Sequence, residues 1–199
     1  TYGGNDYIRT WGRSDSVYAG DGNDTIIGNT ACHVLDGGAG NDEITIQEGG
    51  TNTQGFIKVS GGRGNDTILG SYWGKAVFEF NKGDGQDTIN SRSNEDIIKF
   101  NDMLLSDLEV VQKGADIEIY YGISDKITLK HAYDELKTII LQDKNGTEIP
   151  VLRRLSIVTG SGEIIGDNTS EKIYGSAAAD TITGNKGNDT IDALGGDDI

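Results

Sequence analysis

The feature that most constrains this chain is a nine-residue recurrence of large aliphatic side chains. Read from Ile8, every ninth residue is aliphatic: Ile8, Val17, Ile26, Leu35 and Ile44. The phase resumes at Ile68 and Val77, slips by three residues, and continues at Ile89 and Ile98. It returns at Ile164, Ile173, Ile182 and Ile191. Self-similarity at a fixed short period marks a repeat architecture, in which each unit buries its apolar face only by stacking on its neighbours.

The residues between the aliphatics give each repeat its shape. The clearest copies are GGAGNDEIT at 37–45 and GGRGNDTIL at 61–69, with AGDGNDTII at 19–27 and GNKGNDTID at 184–192 close behind. Glycine permits the left-handed backbone that a tight turn needs, and its bare carbonyls can point inward as hard oxygen ligands. An aspartate at the sixth position adds a carboxylate on a short stem. The aliphatic at the eighth sits on a very short strand and points into the core. Each nonapeptide is then one turn plus one strand, half a coil. Two make a coil of about 18 residues, and coils stack at about 4.8 Å, the spacing of paired strands. The expected fold is all-β, with two parallel β-roll blocks (a β-solenoid) separated by a small β-rich segment. Hard oxygens from glycine turns and carboxylates together point to Ca²⁺.

Turns that stack on one edge lie two nonapeptides apart. One edge of the first block therefore carries Asp6, Asp24, Asp42, Asp66 and Asp87, with the turn glycines Gly20, Gly22, Gly37, Gly38, Gly40, Gly61, Gly62, Gly64, Gly83 and Gly85. The opposite edge carries Asp15, His33, Lys75 and Asp96. A charged lysine cannot ligate a cation, so the first block is expected to load calcium along one side only. Residues 47–60 hold six extra residues, read as a loop on the defective edge, and Asp84 is placed to ligate beside Asp87. In the C-terminal block Asp180 and Asp198 share one edge and Glu171 and Asp189 the other, with turn glycines Gly184, Gly187 and Gly196. Both of its edges read as competent.

Charge agrees with this reading. The chain of 199 residues has 17 basic and 32 acidic side chains, a formal net charge of −15. Nucleic acid is a poor partner for it, since phosphate binding requires a basic face. About six Ca²⁺ would add about +12, two charges each. Without metal the close-packed carboxylates would repel one another, so both rolls are expected to be loose without Ca²⁺ and to fold on binding it. With 30 glycines but one proline, the glycines do not read as a plain linker. The single cysteine, Cys32, excludes an internal disulfide framework. No apolar run approaches the roughly 20 residues of a membrane-spanning helix. No HExxH or GxSxG motif occurs, and Cys32, His33 and His131 have no partners at metal or triad spacing, so no catalytic role is expected. Trp11, Tyr18, Tyr72 and Trp73 are read as falling in the defective turns, filling space there or offering a carbohydrate or protein contact surface.

Between the blocks, residues 101–156 lack the repeat. Candidate strands are 108–112, 117–121, 127–130 and 138–142, with helical turns at 104–108 or 132–136. The Asn-Gly pair in DKNGTE at 143–148 signals a hairpin. The expected organisation is an N-terminal roll over 1–100, a capping segment over 101–156 and a truncated C-terminal roll over 157–199. The chain opens and closes inside repeats, which reads as a piece of a longer protein.

The GGxGxD nonapeptides resemble the RTX family of hemolysin-type calcium-binding repeats. The stretch from VFEFNKGDGQDTI through DIIKFND is similar to the hemolysin-type calcium-binding-related domain found between RTX blocks. The resemblance implies ligand roles for Asp6, Asp24, Asp42, Asp66, Asp87, Asp180, Asp189 and Asp198, with turn-glycine carbonyls beside them. It departs from the pattern at His33, Lys75 and Gly162. It also implies a module of a larger secreted protein (toxin, adhesin or exoenzyme) of a Gram-negative bacterium, exported by type I secretion machinery. Such a module folds outside the cell, where Ca²⁺ is plentiful, in free or cell-surface-attached form, and a host surface ligand is a further possible partner.

Overall fold

The computed structural model describes residues 3–11, 15–49, 55–72, 74–93, 95–131, 139–151, 155–159, 162–166 and 172–199. Trp73, Glu171 and the candidate helical turn at 132–136 lie outside these residues.

Just over half of the described residues are strand, joined by short turns, and the helical ones among them form one 3-10 turn. In chain order the first block gives β1 (Tyr7–Arg9), β2 (Ser16–Asp21), β3 (Thr25–Asn29), β4 (Val34–Ala39), β5 (Glu43–Gln47), β6 (Phe56–Arg63), β7 (Thr67–Leu69), β8 (Lys75–Phe80), β9 (Gln86–Asn90) and β10 (Ile97–Phe100). The middle segment gives a single 3-10 turn at Leu105–Asp107, then β11 (Glu109–Lys113), β12 (Asp116–Tyr121), β13 (Asp125–Leu129), β14 (Ile140–Gln142) and β15 (Glu148–Pro150). The last block gives β16 (Leu155–Thr159), β17 (Glu163–Ile165), β18 (Lys172–Tyr174), β19 (Thr181–Thr183) and β20 (Thr190–Asp192). The chain is thus all-β and built of parallel walls, as the repeat requires.

Odd and even strands of the first block form separate walls. One wall runs β1-β3-β5-β7-β9 and the other β2-β4-β6-β8-β10, every neighbour parallel. The aliphatic recurrence becomes two inward rows. Ile8, Ile26, Ile44, Ile68 and Ile89 stack in register on one wall. Val17, Leu35, Val59, Phe78 and Ile98 stack on the other. Most of these side chains are wholly buried. The second row corrects the sequence phase. Phe78, not Val77, lies opposite Val59 and Ile98. Ala76, Val77 and Phe78 are all buried in β8, so an unbroken apolar run hid which residue points inward. The insertion is also narrower than 47–60: β6 starts at Phe56, and the extra residues lie between β5 and β6, on the edge away from the aspartates.

The middle segment extends the walls. β13 pairs parallel to β9, β12 and β11 follow antiparallel, and β16 pairs parallel to β11, giving one 11-stranded sheet through both blocks. On the other wall β14 adds parallel to β10 and β15 folds back as the Asn-Gly hairpin, with Asp143 N–H donating to Thr147 O. Two reversals of direction cancel, so β11, β16, β18 and β20 run the same way as β1 to β9. This fixes the relation between the blocks. The turns that enter these strands hold Asp6 to Asp87 in the first block and Asp189 in the second. The turns that leave them hold Asp15 and His33 in the first and Asp180 and Asp198 in the second.

Candidate metal centre

The acidic edge is a ladder of side chains. Asp6 N–H donates to Asp24 Oδ1 at 2.7 Å, Asp24 N–H to Asp42 Oδ1 at 2.7 Å, Asp42 N–H to Asp66 Oδ1 at 2.8 Å and Asp66 N–H to Asp87 Oδ1 at 2.9 Å. One carboxylate oxygen of each aspartate therefore ties its coil to the one before. The other oxygen has no such role. Asp24 Oδ2, Asp42 Oδ2 and Asp66 Oδ2 are buried without any hydrogen-bond partner. A buried carboxylate oxygen left unpaired is costly. Three in a file on one edge describe a donor set that fits a hard cation.

The glycines explain how the oxygens come so close. A Cβ on Gly37 would run into Asp42 Oδ2 and stand 2.6 Å from Gly61 O, and one on Gly61 would run into Asp66 Oδ2. The second and fourth turn positions hold positive φ: Gly20 +112°, Gly38 +105° and Gly62 +93°, then Gly22 +131°, Gly40 +134° and Gly64 +139°. A Cβ at Gly38, Gly40, Gly62 or Gly64 would also collide with a glycine carbonyl of the preceding coil. Glycine there serves both conformation and space.

A second ladder, not read from the sequence, runs beside the first. Asn23 N–H donates to Asn5 Oδ1 (2.9 Å), Asn41 N–H to Asn23 Oδ1 (2.8 Å), Asn65 N–H to Asn41 Oδ1 (2.8 Å) and Gln86 N–H to Asn65 Oδ1 (2.9 Å). It runs opposite to the aspartate ladder, because here each coil donates to the previous one's side chain. The signal was present: an asparagine precedes Asp6, Asp24, Asp42 and Asp66.

Burial dominates the electrostatics of the acidic edge. It pushes Asp66 up to about 7 and Asp87 up to about 8 and also raises Asp42, against the pull of the backbone N–H bonds, and neighbouring carboxylates add to the rise. Burial raises Asp84 in the same way. Asp84 accepts from Asn81 N–H at 2.7 Å and lies in the last glycine turn of the first block with Gly83 and Gly85. At that turn Asp87 Oδ2 accepts a bond from the Tyr121 hydroxyl at 3.5 Å.

The opposite edge differs. Asp15 accepts from the Thr10 hydroxyl, and Asp96 accepts from Ala76 N–H at 2.8 Å and from the Ser91 hydroxyl. His33 is tied through its backbone, and Lys75 opens β8. Trp11 and Tyr72 lie in turns and are exposed, while Tyr18 lies within β2 rather than in a turn. Among the described residues, no three His, Cys, Asp or Glu side chains converge into a cluster that could hold a metal. Any ion on the acidic edge therefore depends on carbonyls as well as carboxylates.

In the C-terminal block Asp180 N–H donates to Asp198 Oδ1 at 2.9 Å, and Gly162 N–H donates to Asp180 Oδ1 at 2.6 Å. The ladder thus passes through Gly162, where no aspartate stands. Asp180 Oδ2 accepts from Ser176 N–H at 2.6 Å and from its hydroxyl at 3.1 Å. These bonds, the Ser176 N–H first, hold Asp180 below the usual carboxylate range. Asp189 packs against Gly184, and Gly187 and Gly196 keep the positive φ of the fourth position.

Compared with known families, the chain matches the RTX calcium-binding nonapeptide repeat in four copies, over residues 1–30, 34–45, 58–71 and 165–199. Residues 72–164 lie outside that match. A comparison with curated proteins finds no match.

Proposed function

Over those four stretches the chain belongs to the RTX calcium-binding nonapeptide-repeat family, and from that premise we propose that it is a non-catalytic module of a larger exported protein that folds when it meets Ca²⁺. The observation that carries this reading is the file of partnerless carboxylate oxygens on Asp24, Asp42 and Asp66. Without a cation they oppose folding through desolvation and mutual repulsion. With one they become ligands, so binding energy and folding energy are the same quantity. The full set in this proposal is Asp6, Asp24, Asp42, Asp66 and Asp87 with their turn carbonyls, and Asp180, Asp189 and Asp198 in the second block, for about six ions at two charges each. A calcium-poor cytoplasm keeps such a chain unfolded for passage through type I secretion machinery, and calcium outside the cell folds it. The parent would be a toxin, adhesin or exoenzyme. No helix among the described residues is long and apolar enough to cross a membrane.

Circular dichroism with and without a chelator tests the coupling: the β spectrum should collapse on calcium removal, and an unchanged spectrum would refute it. Asp24→Ala should disturb the sites shared with Asp6 and Asp42, while Asp15→Ala should do much less. Equal losses of calcium binding would refute one-sided loading.

A second reading, an adhesin module holding structural calcium, is favoured by one observation. Exposed Trp11 lies under the Arg9 guanidinium at 3.9 Å, and exposed Tyr72 lies under Arg92 at 4.9 Å. Flat exposed rings of this kind suit a sugar or protein partner. Glycan binding that survives joint Trp11→Ala and Tyr72→Ala substitution would remove it.

A further inference from the structure

The last glycine turn of the acidic edge, residues 82–87, is built differently from those before it. Its next neighbour in the wall is β13, whose register sets Lys126 opposite Gln86 and Ile127 opposite Asp87. An isoleucine stands where the next aspartate belongs, so the ladder cannot continue. The β12–β13 hairpin instead reaches the turn through several hydrogen bonds, among them Gln86 Nε2 donating to Ser124 O at 3.4 Å. Gly83 N–H donates to Asp125 Oδ2 at 2.8 Å. Lys126 N–H donates to Gly85 O at 2.8 Å. The Tyr121 hydroxyl donates to Asp87 Oδ2 at 3.5 Å.

These groups are deeply placed. Tyr121 is 1% exposed, and its ring is held edge-on against Phe80 at 6.1 Å and Phe100 at 5.4 Å. Asp84, Asp87 and Asp125 are each at least nine-tenths buried. The ion pairs among the described residues engage none of them. Asp66 Oδ2, one rung back, is partnerless, whereas Asp87 Oδ2 accepts from a protein group. A group that hydrogen-bonds a metal-ligating carboxylate fixes its orientation and tunes its hold on the ion.

We propose that Tyr121 and Asp125 are positioning residues for the last calcium turn, so that Ca²⁺ held between Asp66 and Asp87 also orders the β12–β13 hairpin. This rests on the calcium reading above. The clamp acts in both directions. Tyr121 and Asp125 hold the Asp87 carboxylate and the Gly83 backbone for the ion. The ion in turn neutralises carboxylates that would otherwise push the hairpin away. Because β12 pairs with β11 and β11 with β16, the calcium state of the first roll reaches the strand from which the second starts.

Hydrogen exchange on the whole chain, with and without Ca²⁺, tests this together with calcium calorimetry on Tyr121→Phe and Asp125→Asn. Tyr121→Phe keeps the ring and its packing and removes only the hydroxyl. It should weaken one calcium-binding step by about tenfold, leave the others, and lower calcium-dependent protection in β12 and β13. Asp125→Asn, of the same size, should do likewise. The proposal fails if protection of β12 and β13 is the same with and without calcium while β3, β5 and β7 depend on it. It fails equally if both variants bind calcium as the parent chain does at every step. If β3, β5 and β7 themselves show no calcium dependence, the calcium reading falls and this proposal with it.

Discussion

Asp66 and Asp180 occupy the same place in their repeats and meet opposite fates. Asp66 has one oxygen in the ladder and the other buried with no partner, and burial pushes it up to about 7. Asp180 has a ladder oxygen too, but Ser176 fills the other, and its hydrogen bonds hold the carboxyl low. Where 61–66 reads GGRGND, 175–180 reads GSAAAD. Ser176, without the positive φ of Gly62, sets its backbone N–H on Asp180 and adds a hydroxyl that glycine lacks. The first edge leaves buried carboxylate oxygens without protein donors, whereas both Asp180 oxygens already accept from the protein. The edges differ too: Asp66 lies in a turn that enters the continuous wall, Asp180 in one that leaves it. A repeat can therefore keep its aspartate, its register and its strand while the donors around its carboxylate change.

The largest expected effect follows from the ladder. Asp42→Ala removes the carboxylate that the proposal has two adjacent sites share and should weaken two calcium-binding steps by at least about tenfold each. Asp180→Ala should leave the first roll's steps intact. Calorimetric titration of both variants checks this, and equal losses would erase the distinction between the turns.

Backbone strain gives the next effect. Gly62 holds φ +93° with the Gly38 carbonyl where a Cβ would stand. Gly62→Ala should cost about 1–3 kcal/mol of calcium-loaded stability, read by chemical denaturation.

Acid should act on the two regions with opposite sign. The folded-state values of Asp66 and Asp87 are raised, so in calcium-free protein these groups weaken the fold as pH rises from the ordinary carboxylate range through about 7 and 8. Asp180 is lowered, so its contribution is present above the ordinary carboxylate range and lost as pH falls below it. Hydrogen exchange of calcium-free protein at pH 5 and pH 8 should show β5 and β7 better protected at pH 5. Calcium binding near pH 7 should release protons. No release would contradict the burial of these carboxyls.

The smallest effect is a gain. Leu194 and Asn185 stand at the second turn position of the C-terminal block with φ +67° and +65°, where the first roll uses glycine. Asparagine tolerates this conformation and leucine does not. Leu194→Gly should stabilise the second block by about 1 kcal/mol, seen as a higher denaturation midpoint. A loss would mean that the exposed leucine packs on something.

The fold was legible because the aliphatic at position eight reports the inward row directly, from Ile8 through Ile89. It blurred where several apolar residues adjoin, as at Ala76–Val77–Phe78. Within the site, the aspartates could be placed on one edge because their spacing is two nonapeptides, 18 residues, lengthened to 24 before Asp66 and to 21 before Asp87. What each carboxylate oxygen bonds to could not. The Tyr121–Asp87 and Gly83–Asp125 contacts join residues 34 and 42 apart in sequence, through a hairpin outside the repeat. Ser176 and the asparagines before each aspartate were visible, but their meaning depends on stacking that only the folded coil supplies.

The most direct test is a crystal structure grown with Ca²⁺ and its anomalous difference map. Peaks should lie between the stacked turns of Asp24, Asp42, Asp66 and Asp87, within ligand distance of the partnerless Oδ2 atoms and the turn carbonyls. A folded first roll with no peaks on that edge, or with its ions beside His33 and Lys75, would contradict the account.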